Sequence, residues 1–408
     1  AAVTDLIEPA KYRKLVNVRS RQAGAIGPRP GISDFSSIGH PGIAGNHVHS
    51  IRRMLDAVGA SLIVVGVSTS VKTGTQTAGF TSRDTGYSGN PLSLLFNRPR
   101  SFQGLNWAYI FDSSKQRKMD SAFNILQIGI APPGRSDTAA YDVAATSAPT
   151  VAAGASTGLT GTYRYKYRYR DSDTGVLSNF SAASAEVVVN NKDVSITNIT
   201  QPPSGSPADL IEIWRIGGSL TLYTFVKEIA STPGGAAAST TDNSPDVDIS
   251  ANDVQETFER DKPWVLVSSA GATTGGNPLR ASWGPVYGVH FACAGTTNPG
   301  DLLWTNQNDP DAMDRANRLP VTGSNEPLTN GCVYDERSYV FSNEKLYVIY
   351  PSQLVTFEVF PTRCKRGPVG PWAFCVGPDG IYFVSRDGVF KTNGGPEVSI
   401  SQDIFNRN

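Results

Sequence analysis

Residues 163–170 read Tyr-Arg-Tyr-Lys-Tyr-Arg-Tyr-Arg. A strict period of two held over that length fits an extended strand, because successive side chains leave a strand on opposite faces, whereas helical neighbours recur every three to four residues. Tyr163, Tyr165, Tyr167 and Tyr169 therefore share one face, which packs. Arg164, Lys166, Arg168 and Arg170 share the other, which meets solvent or a partner. The turn signal Asp171-Ser-Asp-Thr-Gly175 ends this strand, and further strands are expected at 185–189, 194–199, 210–216 and 220–229. Closely spaced strands of this kind spell a small β-sandwich.

Two stretches too poor in large apolar residues to form a core bracket that module: Ala/Ser/Thr/Gly-rich sequence over 134–158 and Ser231-Thr-Pro-Gly-Gly-Ala-Ala-Ala-Ser-Thr-Thr241. Both read as linkers. Outside them the chain gives short strands with aromatic ends and tight turns, at 264–268, 286–293, 302–305, 331–341, 346–350, 354–359, 373–376 and 380–384, which fits a meander rather than alternating strand and helix. No amphipathic helix longer than two turns is convincing. The 40 Gly and 27 Pro among 408 residues exceed the roughly 12% of average usage, as a turn-rich, strand-rich protein requires. The apolar run at 61–67 is a buried strand, far short of the roughly 20 residues that cross a bilayer. Charged residues at Asp5, Glu8, Lys11, Arg13 and Lys14 leave no apolar region for a secretory signal in the first turns of sequence.

The segments Ser338-Tyr-Val-Phe-Ser-Asn-Glu-Lys-Leu-Tyr-Val-Ile-Tyr350 and Gly380-Ile-Tyr-Phe-Val-Ser-Arg-Asp-Gly-Val-Phe-Lys391 repeat one form, aromatic strand, polar turn, strand. Such hairpins recur in propeller blades, which bury their faces against their neighbours. The fold class expected is all-β: a β-propeller-like body with an inserted β-sandwich. Its parts are an extended basic arm over 1–35, the first part of the body over 36–145, the sandwich over 146–250 and the second part of the body over 251–408.

At these residues the chain resembles a known family, the propeller-containing tail and neck proteins of tailed bacteriophages, including tail nozzle and head-to-tail stabilisation proteins. The resemblance rests on Asn17-Val-Arg-Ser-Arg-Gln-Ala-Gly24 with Arg29-Pro-Gly31, on Trp107-Ala-Tyr-Ile-Phe-Asp112 leading to Ile128-Gly-Ile-Ala-Pro-Pro133, and on Gly284-Pro285 before Asn298-Pro-Gly-Asp-Leu-Leu-Trp304. The segment Val376-Gly-Pro-Asp-Gly-Ile-Tyr-Phe-Val-Ser-Arg-Asp-Gly-Val-Phe390 completes it. The middle module resembles a fibronectin type III or immunoglobulin-like insert, with Ile213-Trp-Arg-Ile-Gly-Gly218 similar to a strand common in such inserts. The resemblance implies a non-enzymatic structural virion protein, assembled in the host cytoplasm. It implies a homo-oligomeric ring, commonly a hexamer, that contacts the portal or adaptor and other tail proteins and guides genomic DNA during ejection. It implies no membrane-spanning segment.

Lys+Arg and Asp+Glu are 36 each and the net charge is zero, which argues against a generally basic nucleic-acid binder. Neutrality suits a channel wall past which DNA slides, since a strongly basic lumen would hold it through counterion release. The residues that would face DNA or a partner are Arg19, Arg21 and Arg29 in the basic arm, and Arg164, Lys166, Arg168 and Arg170 on the tyrosine strand.

No catalytic residue, cofactor or metal site is expected, as no GxSxG, HExxH, Walker loop or GxGxxG-helix context is present. His47 and His49 form an HxH pair near His40, which Asp34 or Asp56 could complete as a metal site, but a polar loop is the preferred reading. Asn306-Gln-Asn-Asp-Pro-Asp-Ala-Met-Asp314 clusters oxygen ligands without the Gly and Glu of a calcium loop, and is read as a capped turn entering a short helix. Ser385-Arg-Asp-Gly-Val-Phe390 is similar to the structural Asp-box turn of sialidases. Cys293, Cys332, Cys364 and Cys375 lack CxxC spacing and are read as reduced, with one disulfide as the alternative. The competing function is a carbohydrate-binding or glycan-cleaving propeller, for which Trp107, Trp283, Trp304 and Trp372 would supply stacking platforms.

Overall fold

The computed structural model describes residues 18–22, 25–28, 48–55, 61–67, 69–75, 79–86, 93–97, 107–111, 116–120, 122–135, 147–257, 259–260, 281–294, 298–314, 316–323, 326–353 and 356–401. They are built almost wholly from antiparallel strands. A hairpin, β1 (Val18–Gln22) and β2 (Ala25–Pro28), precedes a four-stranded sheet of β3 (Val48–Leu55), β4 (Ser61–Val67), β5 (Ser70–Thr75) and β6 (Gly79–Thr85). A second such sheet holds β7 (Ser93–Asn97), β8 (Trp107–Phe111), β9 (Gln116–Met119) and β10 (Ile125–Gln127). The inserted module comprises β11 (Thr150–Ala153), β12 (Leu159–Arg170), β13 (Val187–Lys192), β14 (Val194–Ile199), β15 (Leu210–Gly217), β16 (Leu220–Ala230), β17 (Ala238–Asp242) and the one-turn helix α1 (Asp246–Ile249). Three more four-stranded sheets follow. The first holds β18 (Ala281–Val286), β19 (Val289–Cys293), β20 (Asp301–Trp304) and β21 (Arg318–Pro320), and the next β22 (Leu328–Tyr334), β23 (Arg337–Ser342), β24 (Leu346–Gln353) and β25 (Thr356–Pro361). The last holds β26 (Phe374–Gly377), β27 (Gly380–Ser385), β28 (Gly388–Thr392) and β29 (Val398–Ser399).

Each of these five sheets runs up and down in sequence order, and their first strands stand side by side in the row β3, β7, β18, β22, β26. That is the blade arrangement of a propeller, in which a small sheet has two apolar faces and buries both against its neighbours. Val64 and Val71 of the first blade meet Ile110 and Met119 of the second. Tyr109 and Ile128 of the second meet Ala292, Ala294 and Leu303 of the third. Trp283, Phe291 and Trp304 of the third meet Val340, Ile349 and Phe357 of the fourth. Tyr339, Phe341 and Leu346 of the fourth meet Ile381, Phe383 and Phe390 of the fifth. Alternation along each strand supplies the two faces: in β23, Val340 points to one neighbour while Tyr339 and Phe341 point to the other.

The insert lies between the second and third blades. Its strands form two sheets, β11-β14-β17 and β13-β12-β15-β16, that share one core of Tyr163, Tyr165, Tyr167, Tyr169, Val187, Val189, Val194, Ile196, Ile199, Ile211 and Ile213. The tyrosine face thus packs as its alternation requires, each ring removing roughly 150–250 Å² from water. Their hydroxyls are satisfied: Tyr163 donates to the Thr160 carbonyl (3.1 Å), Tyr165 to Asp242 (2.9 Å) and Tyr169 to the Thr200 carbonyl (2.8 Å), while Tyr167 accepts from the Thr200 N–H (3.1 Å). The far half of β12 outruns β13. There Ser178, Ser181 and Ser184 take the place of a strand, each accepting at Oγ from the N–H of Tyr169, Tyr167 or Tyr165 and donating its own N–H back to the same residue's carbonyl.

Several strand expectations change. The stretch 286–293 is two strands, because Tyr287 (φ 54°) and Gly288 (φ 76°) make a left-handed two-residue turn between β18 and β19. The stretch 331–341 likewise divides at Asp335 (φ 49°) and Glu336 (φ 60°). The two stretches read as linkers contribute β11 and β17, both paired to β14, so Ala and Thr serve there as edge-strand residues over a core supplied by β12. Among the described residues no helix is long and apolar enough to cross a membrane.

Candidate functional site

The arginine face of β12 is where the sandwich meets the body. Arg168 lies directly opposite Glu212 of β15 and donates from Nε to its Oε2 (2.6 Å); Trp214 Nε1 donates to the same oxygen (3.1 Å). The Arg168 guanidinium sits between the rings of Phe180 (4.7 Å) and Trp214 (4.8 Å) and is only 5% exposed. Its Nη1 reaches Glu256 (2.5 Å). Glu256 belongs to a strap, described over 253–257 and 259–260, whose first residues run along β16: the Phe225 N–H donates to the Asp253 carbonyl and the Gln255 N–H to the Tyr223 carbonyl. Lys166 crosses this face over the Tyr223 ring (4.5 Å) and approaches Gln255 (3.5 Å), and burial lowers its pKa. Arg170 pairs with Glu228, and the half-exposed Arg164 with Glu186 (2.8 Å). Each of the four cations that the sequence offered to DNA or a partner thus lies against an acid or an amide of this chain.

The strap ends on Arg260, which joins sandwich to blade. Its Nε donates to Glu256 (2.7 Å), its Nη1 to Asp309 (2.6 Å), and its N–H to Asn179 Oδ1 (2.5 Å). The neighbouring Glu259 N–H donates to Asp314 and the Asn306 side chain donates to the Glu259 carbonyl (2.9 Å each). Burial alone would raise the pKa of Glu256, but the charges of Arg168 and Arg260 prevail and hold it below the usual carboxylate range.

From Asp309 the network continues into the second blade. Asp309 Oδ1 accepts from the Asp311 N–H (3.2 Å), and the Asp311 carboxylate, 5% exposed, accepts from Lys118 Nζ (2.8 Å), Tyr109 Oη (3.0 Å) and the Gly129 N–H (3.0 Å). One chain of ion pairs, joined between Asp309 and Asp311 by a hydrogen bond from the Asp311 backbone N–H, therefore links Glu212, Arg168, Glu256, Arg260, Asp309, Asp311 and Lys118 across three bodies. On the same side Ile130, just past the second blade, enters the sandwich core. The segment 306–314 is a capped turn, as its composition suggests, but leads into no helix: Asn306 Oδ1 accepts from the Asp314 N–H and the Asn317 side chain, and Asp314 Oδ1 from the Ala316 N–H. The side-chain oxygens of Asn306, Asp309, Asp311 and Asp314 are engaged by donors of the protein itself.

Arg29 lies outside the described residues, as do His40, His47, Asp34 and Asp56; Arg19 and Arg21 lie on β1 and His49 on β3, where the backbone alone is described. Among the described residues no group of three or more His, Cys, Asp or Glu could hold a metal ion. Trp283 and Trp304 are core residues between the third and fourth blades, not platforms, whereas Trp372 is 44% exposed. The turn at Ser385–Asp387 closes the β27–β28 hairpin, with Asp387 accepting from Arg366 (2.7 Å). All four cysteines are free thiols, Cys375 exposed and the others buried. Sequence reading missed the strap, and the signal available was partial: period two puts Glu212 and Trp214 on one face of β15, which pairing with β12 sets beside Arg168.

No family model matches the chain, and no curated protein matches it. Solved structures similar to parts of it include the AfRom2 CNH domain (9% identity, 87% of this chain and 93% of that one, TM-score 0.20). Others are a catalytically inactive virginiamycin B lyase from Staphylococcus aureus (9% identity, 84% and 93%, TM-score 0.24) and the extracellular domain of a putative hybrid two-component system from B. thetaiotaomicron (10% identity, TM-score 0.21). The last match covers 88% of this chain but only 58% of the other. Superpositions at these TM-scores carry no argument, and the fold rests on the strand pairing described above.

Proposed function

We propose that the chain is a non-enzymatic structural component of a bacteriophage tail or neck, forming a ring with other copies of itself beneath the portal and guiding the genome through its channel. The observation that supports this reading is the partly buried ionic strap, which ties the sandwich to the second and third blades and would make the insert a rigid extension of the body. A part that transmits load needs that rigidity, whereas a flexibly tethered binding module does not. The sequence motifs that resemble those of tail and neck proteins point the same way. Because Arg164, Lys166, Arg168 and Arg170 are matched within the chain, contact with DNA falls in this reading to Arg19, Arg21 and Arg29. The test is quantitative proteomics on gradient-purified, DNA-filled particles, normalised to the portal protein. A fixed whole-number ratio to the portal is expected; absence from particles overturns the proposal.

A further inference from the structure

The contact between the second and third blades differs from the other three. Beside the apolar contact of Ile128, Leu303 and Met313 with the small Ala292 and Ala294, this seam buries the polar and charged side chains of Tyr109, Lys118, Asp311 and His290. His290 is 2% exposed. Its N–H donates to Thr305 Oγ1 (3.0 Å) and its ring lies 5.7 Å from that of Tyr109, yet its Nε2, sealed from solvent, meets no hydrogen-bond partner. A native protein rarely leaves such an atom unsatisfied. The charged groups around it are already engaged: Asp311 by Lys118, Tyr109 and Gly129, and Asp309 by Arg260 and the Asp311 N–H. Neither β7 nor β18 carries a titratable side chain, and the one acid of β20, Asp301, is paired with Arg318.

We propose that this seam is an acid-sensitive joint, in which a proton taken up by the sealed imidazole of His290, with the nearby Asp311 carboxylate already holding three donors, drives the second and third blades apart and loosens the anchorage of the sandwich. Burial holds the imidazole down to about 4, against an ordinary 6.5, and the charge of Asp311 offsets only part of this. Asp309 moves the other way, raised by burial and by Asp311 against the pull of Arg260. Protonation of Asp309 is favoured in the closed seam and opposes opening, whereas the proton on His290 is favoured in the open seam and drives it. Since His290 binds less proton in the closed seam than in the open one between those two values, its contribution holds the joint firm above pH 6.5 and is lost as the pH falls towards 4. With 6.5 for the open and about 4 for the closed form, the opening equilibrium at pH 5 rises roughly thirtyfold over its value at pH 7.5.

The test is hydrogen exchange of the full chain at pH 7.5 and pH 5, expressed as protection factors so that the intrinsic pH dependence cancels. Protection of 107–111 and 289–293 is expected to fall roughly thirtyfold relative to the sandwich-core strand 163–169, and His290→Asn is expected to remove that difference. An equal change at seam and core, or an undiminished change in His290→Asn, overturns the proposal. Should the variant not fold, the imidazole resonances of the unaltered chain decide the question: one histidine titrating near 4 sustains it, and all titrating near 6.5 overturn it. Either result is read on the isolated chain and is independent of its presence in particles.

Discussion

Replacing Glu256 by Gln removes a charge and leaves the shape of the strap intact, which isolates what the ionic contact contributes. Glu256 receives two charge-assisted hydrogen bonds, from Arg168 Nη1 at 2.5 Å and from Arg260 Nε at 2.7 Å. Its own side chain and that of Arg260 are each 18% exposed and that of Arg168 only 6%, so solvent screens the contacts little. A hydrogen bond between two ionised groups lies towards the upper end of the roughly 1.5–3 kcal/mol found for charged partners, and one in which only the guanidinium stays ionised lies at the lower end. Two such conversions cost about 2–3 kcal/mol. Urea unfolding of the wild type, Glu256→Gln, Arg168→Met and the double variant closes a cycle in which the shared contact is expected to give a coupling of about 1–2 kcal/mol, with the remainder of the single-variant cost arising from Arg260. Glu256→Gln is also expected to speed tryptic cleavage after Arg260, because the strap is held there by the contacts that weaken. A coupling below about 0.5 kcal/mol, with cleavage unchanged, would mean that the strap is held by its backbone pairing to β16 and that the ionic chain is incidental.

Two further outcomes follow from the core. With burial pushing the Cys332 thiol up to about 12 and the Cys364 thiol up to about 11, a thiol reagent at pH 8 should titrate Cys375 alone in the native protein and all four cysteines in denaturant; rapid native reaction at a second site would contradict the buried placement. Gly331→Ala places a methyl 2.3 Å from Cε2 of Trp283, against an indole fixed by its bond to Ser338 (2.9 Å); a loss of about 1–3 kcal/mol is expected in thermal unfolding, and an unchanged midpoint would refute the tight contact of the third and fourth blades.

Much of the architecture was legible because period-two alternation is a local property. The strand at 194–199 lies where its apolar residues put it, and the tyrosine face of β12 packs as alternation demands. Boundaries failed where a turn lacked its usual residues. Asp335-Glu336 adopts a left-handed conformation without Gly, and Tyr287-Gly288 interrupts an otherwise continuous apolar run. The β11 and β17 edges were hidden because Ala and Thr reach strand conformation only through the ladder of a neighbour, here β14. At the candidate site the arginines were visible and their partners were not: Glu212 and Glu256 stand 44 and 88 residues from Arg168 along the chain. Whether a row of cations faces water or an acid depends on tertiary placement, and only the opposing β15 alternation hinted at the answer.

The position of the sandwich has a consequence for chain entropy. Joining the second and third blades through an unstructured excursion of roughly 150 residues would carry a closure cost of about 4 kcal/mol, against about 2–3 kcal/mol for a loop of some twenty. Ile130 enters the sandwich core at one end of the excursion and Arg260 anchors the other, so the folded insert brings its two ends back towards one another. The domain that interrupts the propeller thereby shortens, in effect, the longest loop the propeller has to close.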